Sequence, residues 1–280
     1  MSKLTDDKIK DIYYNEYLKD VAAYILEEKY ELYKGYLYRH FNRLGLPLRS
    51  NSINSKKHTF NENYFEVIDS EDKAYWLGFI YADGYITSKR KQCNRTLGVS
   101  LNEKDKKHLE KLNKCLDSNV EIKTYVETSG FGKGNKYCRV LFTSQKITDD
   151  LINLGVYEKK SSILSYPDIP EEYIKDFIRG YFDGDGSIWK QDGKYEQFNI
   201  SFVGTHEVLM FIQEHLLTKD IITRIYPLNK RKENQKVLNF KFGGNYLTYK
   251  FLNYLYENSN MYLDRKFELY KELQSKIKNQ

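Results

Sequence analysis

The sequence predicts an α+β protein built as two similar halves behind a small all-helical N-terminal segment. Three observations carry this expectation. Two apolar segments ending in Asp-Gly, AYWLGFIYADG at 74–84 and DFIRGYFDGDG at 176–186, set Asp83 and Asp185 102 residues apart. Behind each segment the same order of hairpin, helix, hairpin and helix can be read. Ahead of both, roughly sixty residues carry their apolar side chains at helical spacing. The expected divisions are 1–60, 61–168 and 169–280.

In the first division, Thr5 with Asp6 and Asp7 makes a helix cap, and Ile9, Ile12, Tyr13 and Tyr17 follow on one face. A short second helix is predicted over 18–25, with Val21, Ala22 and Ile25 together. A third over 31–44 carries Leu37, Phe41 and Leu44, and Gly45 stands where it would end. Between Lys34 and Lys57 there are six cations and no acid. Three short helices, the last one basic, outline a helix-turn-helix unit, with Arg39 and Arg43 as candidate nucleic-acid contacts. A helical hairpin with a solvated basic face is the plain alternative. The Ser- and Asn-rich stretch 49–63 reads as a linker.

In the two halves, hairpins are predicted over 85–101 and 187–203. Amphipathic helices follow, marked by Leu109, Leu112 and Leu116 and by Leu209, Ile212 and Leu216. Second hairpins lie near 122–144 and 221–242, and closing helices near 148–154 and 246–256. Helix, two strands, helix, two strands, helix thus occurs twice, as a pseudo-twofold pair.

Composition bounds the function. Of 280 residues, 40% are apolar and 30% charged, which supports folded cores and disfavours disorder or a fibrous repeat. A net charge of +6 with pI near 8.8 leans towards a polyanionic partner. Cys93, Cys115 and Cys138 are widely spaced without a Cys-x-x-Cys pair, which argues against a disulfide framework or zinc ribbon and for a reducing compartment. The charged start, MSKLTDDKIKDIYYNEY, does not read as a secretory signal. The longest uncharged apolar run, Ala74 to Ala82, falls far short of the roughly 20 residues of a membrane span. An intracellular protein with no membrane partner is expected, in a bacterial cytoplasm (phage-encoded chains included) or an organelle matrix.

The opening helices of the halves carry small residues four apart, Gly78 with Ala82 and Gly180 with Gly184. Such positions stack on one helix face and let two backbones approach closely. The run 74–82 holds no charge, so its helix should be buried all round, while Arg179 interrupts the second. Gly84 and Gly186 are expected as left-handed caps. Asp83 and Asp185 need another reason. A carboxylate at a helix C-terminus faces the negative end of the dipole, at a cost of up to about 1 kcal/mol. Parallel packing of the helices would add mutual repulsion. Divalent cations would offset both, since Mg²⁺ takes one or two carboxylates plus waters and phosphate oxygens. A single Asp-Gly is ordinary turn chemistry; two in matched contexts are better explained by a shared site.

WLGFIYADG and IRGYFDGDG resemble the two motifs of single-chain LAGLIDADG homing endonucleases, and the resemblance covers roughly residues 64 to 275. It implies two αββαββα halves, motif helices at the central interface, and two antiparallel sheets forming a saddle on the DNA major groove. It also implies that Asp83 and Asp185, with the carbonyls of Ala82 and Gly184, ligate Mg²⁺ (or Mn²⁺). The implied activity is Mg²⁺-dependent phosphodiester hydrolysis by a monomer on double-stranded DNA, leaving short 3′ overhangs at a long asymmetric target. The first motif has Tyr81 where the second has Asp183, a position outside the metal-binding pair. Aligning YEKKSSIL with LDRKFELY sets Lys160 opposite Lys266, and the resemblance gives a basic residue there a part in activating water or neutralising the transition state. Asn102 and Ser201 are candidates for positioning water. Family members also act as intron maturases, so intron RNA is the alternative partner. A non-cleaving DNA-binding regulator is the alternative activity, although both acids are retained. With no splicing cysteine at the start and no His-Asn pair at the end, an intein is not expected.

Charge placement agrees with a saddle. Tyr85 to Asn102 holds Lys89, Arg90, Lys91 and Arg95 without an acid, and Gly130 to Ile147 holds Lys133, Lys136, Arg139 and Lys146 without an acid. Arg224 to Lys250 holds seven cations, among them Arg224, Lys230, Arg231, Lys232 and Lys241, against Glu233 alone. Cations interleaved with Tyr, Asn and Gln suit phosphate contact and base-edge readout. Sheet edges guarded by lysine are the plain alternative. The hairpin 187–203 is balanced in charge and fits less well.

Overall fold

The computed structural model describes residues 4–19, 21–48, 58–87, 94–130, 132–158, 165–191, 196–230 and 237–279. Two units divide the chain, Met1–Thr59 and Phe60–Gln280, each with its own apolar core.

In the first unit, α1 (Asp6–Asn15) starts where the Thr5 hydroxyl accepts the Lys8 N–H at 3.3 Å. It buries Ile9, Ile12 and Tyr13 beside Leu37 and Phe41. The second helix is displaced from its expected place. Tyr17–Lys19 forms a short 3-10 turn, α2 runs over Ala23–Lys29, and Leu18 and Ile25 are exposed. The third helix, α3 (Tyr36–Arg43), starts five residues later than its periodicity predicts. Gly35, at φ +84°, turns the chain, and the buried Glu27 carboxylate accepts the N–H groups of Gly35 (2.9 Å) and Leu37 (3.0 Å). A carboxylate on the first N–H groups of a helix fixes its start. Gly45 ends α3 at φ +68°, as a left-handed C-terminal glycine should.

The second unit repeats one pattern. Its first half is α4 (Glu71–Asp83), β1 (Gly84–Ile86), β2 (Thr96–Asn102), α5 (Lys106–Cys115), β3 (Lys123–Val126), β4 (Lys136–Thr143) and α6 (Gln145–Asn153). Its second is α7 (Ile174–Asp185), β5 (Ser187–Gln191), β6 (Gln197–Gly204), α8 (His206–Thr218), β7 (Asn229–Lys230), β8 (Leu238–Gly243) and α9 (Asn245–Tyr256), followed by α10 (Asp264–Lys278). Each half contains an antiparallel four-stranded sheet, ordered β1-β2-β4-β3 and β5-β6-β8-β7. The predicted α+β repeat is therefore present; α10 was not foreseen.

Strand alternation separates an inner from an outer face in both sheets. Leu97, Val99, Leu101, Cys138, Val140 and Phe142 point to the core in the first, and Phe198, Ile200, Phe202, Phe240 and Phe242 in the second. Every residue from Ala74 to Tyr81 is buried, as a charge-free helix requires. Arg179, 1% exposed, is accommodated by its Asp176 carboxylate at 2.5 Å and by the carbonyls of Met261 (2.8 Å) and Leu255 (3.2 Å).

The seam between the halves is α4 against α7, running parallel. A Cβ on Gly78 would stand 2.0 Å from the Phe177 carbonyl oxygen, and one on Gly180 would stand 1.9 Å from that of Tyr75. The helices touch backbone to backbone because these residues have no side chain. Gly84 and Gly186 correct an expectation. Their φ values are −77° and −78°, so neither is a left-handed cap. Space is the reason for both: added Cβ atoms would lie 2.7 Å from Ile80 Cγ2 and 2.1 Å from Phe182 Cδ2.

Candidate active site and nucleic-acid interface

Asp83 and Asp185 are the last residues of α4 and α7, both half-buried. The seam brings these helix ends together. A Cβ on Gly184 would lie 2.3 Å from the Ala82 Cβ and 3.5 Å from Asp83 Oδ2. Ala82 and Gly184 therefore face one another directly beneath the two carboxylates.

Lys266, near the start of α10, sits under the end of α7. Its ammonium is 1% exposed and donates to the carbonyls of Phe182, Asp183 (3.0 Å) and Gly186 (2.6 Å). A cation on the terminal carbonyls of a helix offsets the negative end of its dipole. Burial pushes the lysine pKa down to about 8, against the charges of Asp183, Asp83 and Asp185, which all act to raise it. All three ammonium N–H bonds are thus occupied by the chain. Lys160 lies outside the described residues.

Beneath this layer Asp183 holds parts of both halves. Fully buried, it accepts from Tyr75 Oη (2.7 Å), Tyr256 Oη (2.5 Å) and the Leu263 N–H (2.8 Å). Burial raises its pKa, opposed by Lys266 and by these donors. Tyr75 also meets His108 Nε2 at 3.0 Å. Since the Tyr75 proton goes to Asp183, Nε2 must carry a proton and donate to Tyr75. That leaves Nδ1 as a bare acceptor, and it has no partner.

Burial pushes the His108 pKa down to about 3 from 6.5. The unfolded chain therefore takes up a proton at this histidine as pH falls through 6.5, and the folded chain does not. Stability contributed by neutral His108 is complete above that pH and drains away as pH falls towards 3. Between pH 7 and pH 5 the expected loss is about 2 kcal/mol. Urea unfolding at the two pH values measures it, and His108→Gln should remove this part of the slope.

The donor set at Asp83 and Asp185 suits a hard divalent cation. Among the described residues there is no group of three or more His, Cys, Asp or Glu that could hold a metal. Two carboxylates with backbone carbonyls are hard oxygen donors, too few to enclose an ion. They leave positions for water and phosphate oxygens, as a hard divalent cation with an open coordination sphere requires.

On the outer sheet faces, the first half presents Tyr85, Ser100, Asn102, Lys123, Tyr125, Tyr137 and Arg139, and the second presents Trp189, Asn199, Asn239 and Lys241. Lys133 and Lys136 are exposed around the β3–β4 turn, and Arg224 and Lys230 before β8. Other predicted contacts are tied to acids. Arg95 reaches Asp149 and Glu158, each at 3.1 Å, and exposed Arg43 pairs with Asp6. Lys136 lies 3.8 Å from Glu103. Arg39 is exposed over the Tyr33 ring. Lys89, Arg90, Lys91, Arg231 and Lys232 lie outside the described residues. Asn102 caps the following turn through Lys104 N–H, while Ser201 is buried opposite Lys241. Sequence reasoning missed Tyr75, Tyr256 and the hub role of Asp183, whose partners are scattered along the chain.

A pair of α+β halves joined through glycine-lined helices, with one carboxylate at each helix end, defines a two-motif LAGLIDADG-type scaffold. A LAGLIDADG-like domain is matched twice, over residues 70–152 and 172–268. The chain belongs to this family. No curated protein matches it. Among solved structures it is similar to the I-LtrWI LAGLIDADG homing endonuclease bound to target DNA, with 14% identity and TM-score 0.48 over 79% of this chain and 92% of that one. It is also similar to the I-SmaMI LAGLIDADG homing endonuclease bound to cleaved DNA, with 13% identity and TM-score 0.48 over 75% of this chain and 89% of the other. The I-GzeII enzyme in complex with its DNA target has 14% identity and TM-score 0.47, over 72% and 91% of the two chains. Among the described residues, no helix is long and apolar enough to cross a membrane.

Proposed function

We propose that this chain is a site-specific endonuclease that cuts both strands of a long, asymmetric DNA target and leaves short 3′ overhangs. One observation carries the reading: two aspartates 102 residues apart in sequence end side by side at a seam between two halves. Asp83 and Asp185, with the carbonyls of Ala82 and Gly184, would hold Mg²⁺ or Mn²⁺. Bound there, the ion supplies Lewis-acid stabilisation of charge at the scissile phosphate. Lys266 fixes the end of α7 and places positive charge beneath both carboxylates; with its N–H bonds occupied, it acts through position and field rather than by touching phosphate.

The outer sheet faces support the DNA partner. Among the described strand residues on those faces there is no carboxylate, while Lys123, Arg139 and Lys241 are presented there. Phosphate neutralisation by such cations supplies affinity, and neighbouring Asn, Ser and Tyr side chains supply base contacts. The two faces carry different side chains, which favours an asymmetric target read by one chain. Residues 1–60 are proposed as an added DNA-binding arm.

Incubation with a randomised duplex library in Mg²⁺, followed by sequencing of the cut ends, tests the reading. One long enriched site with paired cuts on the two strands is expected. Enriched positions that vanish when residues 1–59 are removed would report the arm. Ends scattered without a common sequence would overturn the proposal.

A further inference from the structure

Each outer sheet face carries one cation opposite a serine, but of different kind and at a different point of the repeat. In the first half, Arg139 on β4 lies directly opposite Ser100 on β2. In the second, Lys241 on β8 lies directly opposite Ser201 on β6. The strand ends fix the correspondence: Thr143 and Gly243 each close their strand one residue before the next helix cap, so Arg139 corresponds to Asn239 and Lys241 to Leu141, and the two cations stand one strand repeat apart.

Arg139 is held in one orientation. Its Nε donates to Ser100 Oγ at 2.9 Å. Its guanidinium lies 5.4 Å from the Tyr125 ring and 5.2 Å from the Tyr137 ring, and these two rings stack across the strands at 5.3 Å. Among the described residues, Nη1 and Nη2 have no protein acceptor. Beside them is an open concavity of about 400 Å³, lined in part by Asn102, Asn135 and Lys136 and by one acid, Glu127. A planar fork whose third nitrogen is locked presents two parallel donors, and the loss of freedom on binding is already met by the serine and the rings. In a major groove only guanine offers two acceptors, O6 and N7, that match such a fork. Lys241 differs in kind. Exposed and 5.8 Å from the Trp189 ring, it is a flexible point charge that satisfies a phosphate or several base edges equally well.

We infer that Arg139 reads a guanine, and that the base pair facing Lys241 in the other half-site is weakly specified. This rests on the DNA reading given above. A fork-to-guanine pair discriminates by about tenfold to a hundredfold against other bases.

The test is selection of bound duplexes by the full chain from a randomised library in Ca²⁺, repeated with four variants. The parent chain should enrich one invariant guanine that loses its preference at least about tenfold in Arg139→Ala and Arg139→Lys, with the rest of the motif unchanged. Ser100→Ala should weaken the same position less. Lys241→Arg should sharpen a guanine at the position in the other half-site that residue 241 faces. An enriched motif that is identical in the parent and in Arg139→Ala would overturn the assignment while leaving the DNA reading intact. No retained duplex with the parent chain would overturn both.

Discussion

Replacing Asp185 by asparagine is expected to slow Mg²⁺-dependent cutting by about 10³-fold or more, since several kcal/mol of transition-state charge stabilisation goes with the ion it would hold. Asparagine keeps the size of the side chain and removes only its charge. The buried surroundings, including the Lys266 cap on the end of α7, rest on backbone carbonyls and are left in place. Duplex binding should therefore persist, because the proposed DNA contacts lie on the sheet faces and not at the helix ends. Asp83→Asn should behave alike, since the two carboxylates occupy corresponding helix ends. Gel assays of cleavage in Mg²⁺ and of binding in Ca²⁺ separate the two effects. Loss of binding together with cutting would mean that the substitution disturbs the seam rather than the chemistry.

The second large effect concerns that seam. Gly180→Ala is expected to destabilise the second unit by about 3 kcal/mol or more, near the top of the range for overpacked cores. On propensity alone, alanine inside a helix would be better than glycine by about 1 kcal/mol. The clash outweighs this gain. The new methyl would lie 1.9 Å from the Tyr75 carbonyl oxygen and 2.9 Å from the Phe79 nitrogen, both backbone atoms. A flexible side chain could swing away; two helices must separate. Gly78→Ala meets Phe177 and Tyr181 in the same way and should cost a similar amount. Gly132→Ala, whose Cβ would approach the Glu127 Cγ no closer than 3.4 Å, is the control. Urea denaturation of the three variants measures the differences. A Gly180→Ala protein as stable as the parent would show that the helices are not in backbone contact.

Much of this architecture could be read from local pattern. The uncharged run from Ala74 to Ala82 can only be buried, and small residues four apart mark the face on which it meets its partner. Strand alternation and the cationic bias of the hairpins survive without tertiary information, because period two and net charge are local properties. What could not be read depends on distance in the chain. Asp183 looked like a stray motif acid, yet its partners Tyr75, Tyr256 and Leu263 come from three other segments. Arg95 and Arg43 looked like free cations, but the acids that engage them lie 54, 63 and 37 residues away. Gly84 and Gly186 suggested left-handed backbone when the true constraint is the preceding turn of their own helices. Helix α10 escaped notice because charged residues and few apolar ones dominate it, although Lys266, Tyr270 and Leu273 are buried.

Binding of Mn²⁺ to the full chain on its target duplex tests the central claim most directly, followed through the paramagnetic resonance of the free ion. If the paired helix ends form a cation site, the parent chain shows saturable uptake that is lost in the Asp83→Asn/Asp185→Asn double variant, with duplex still bound. Equal uptake by the parent and the double variant would contradict the account.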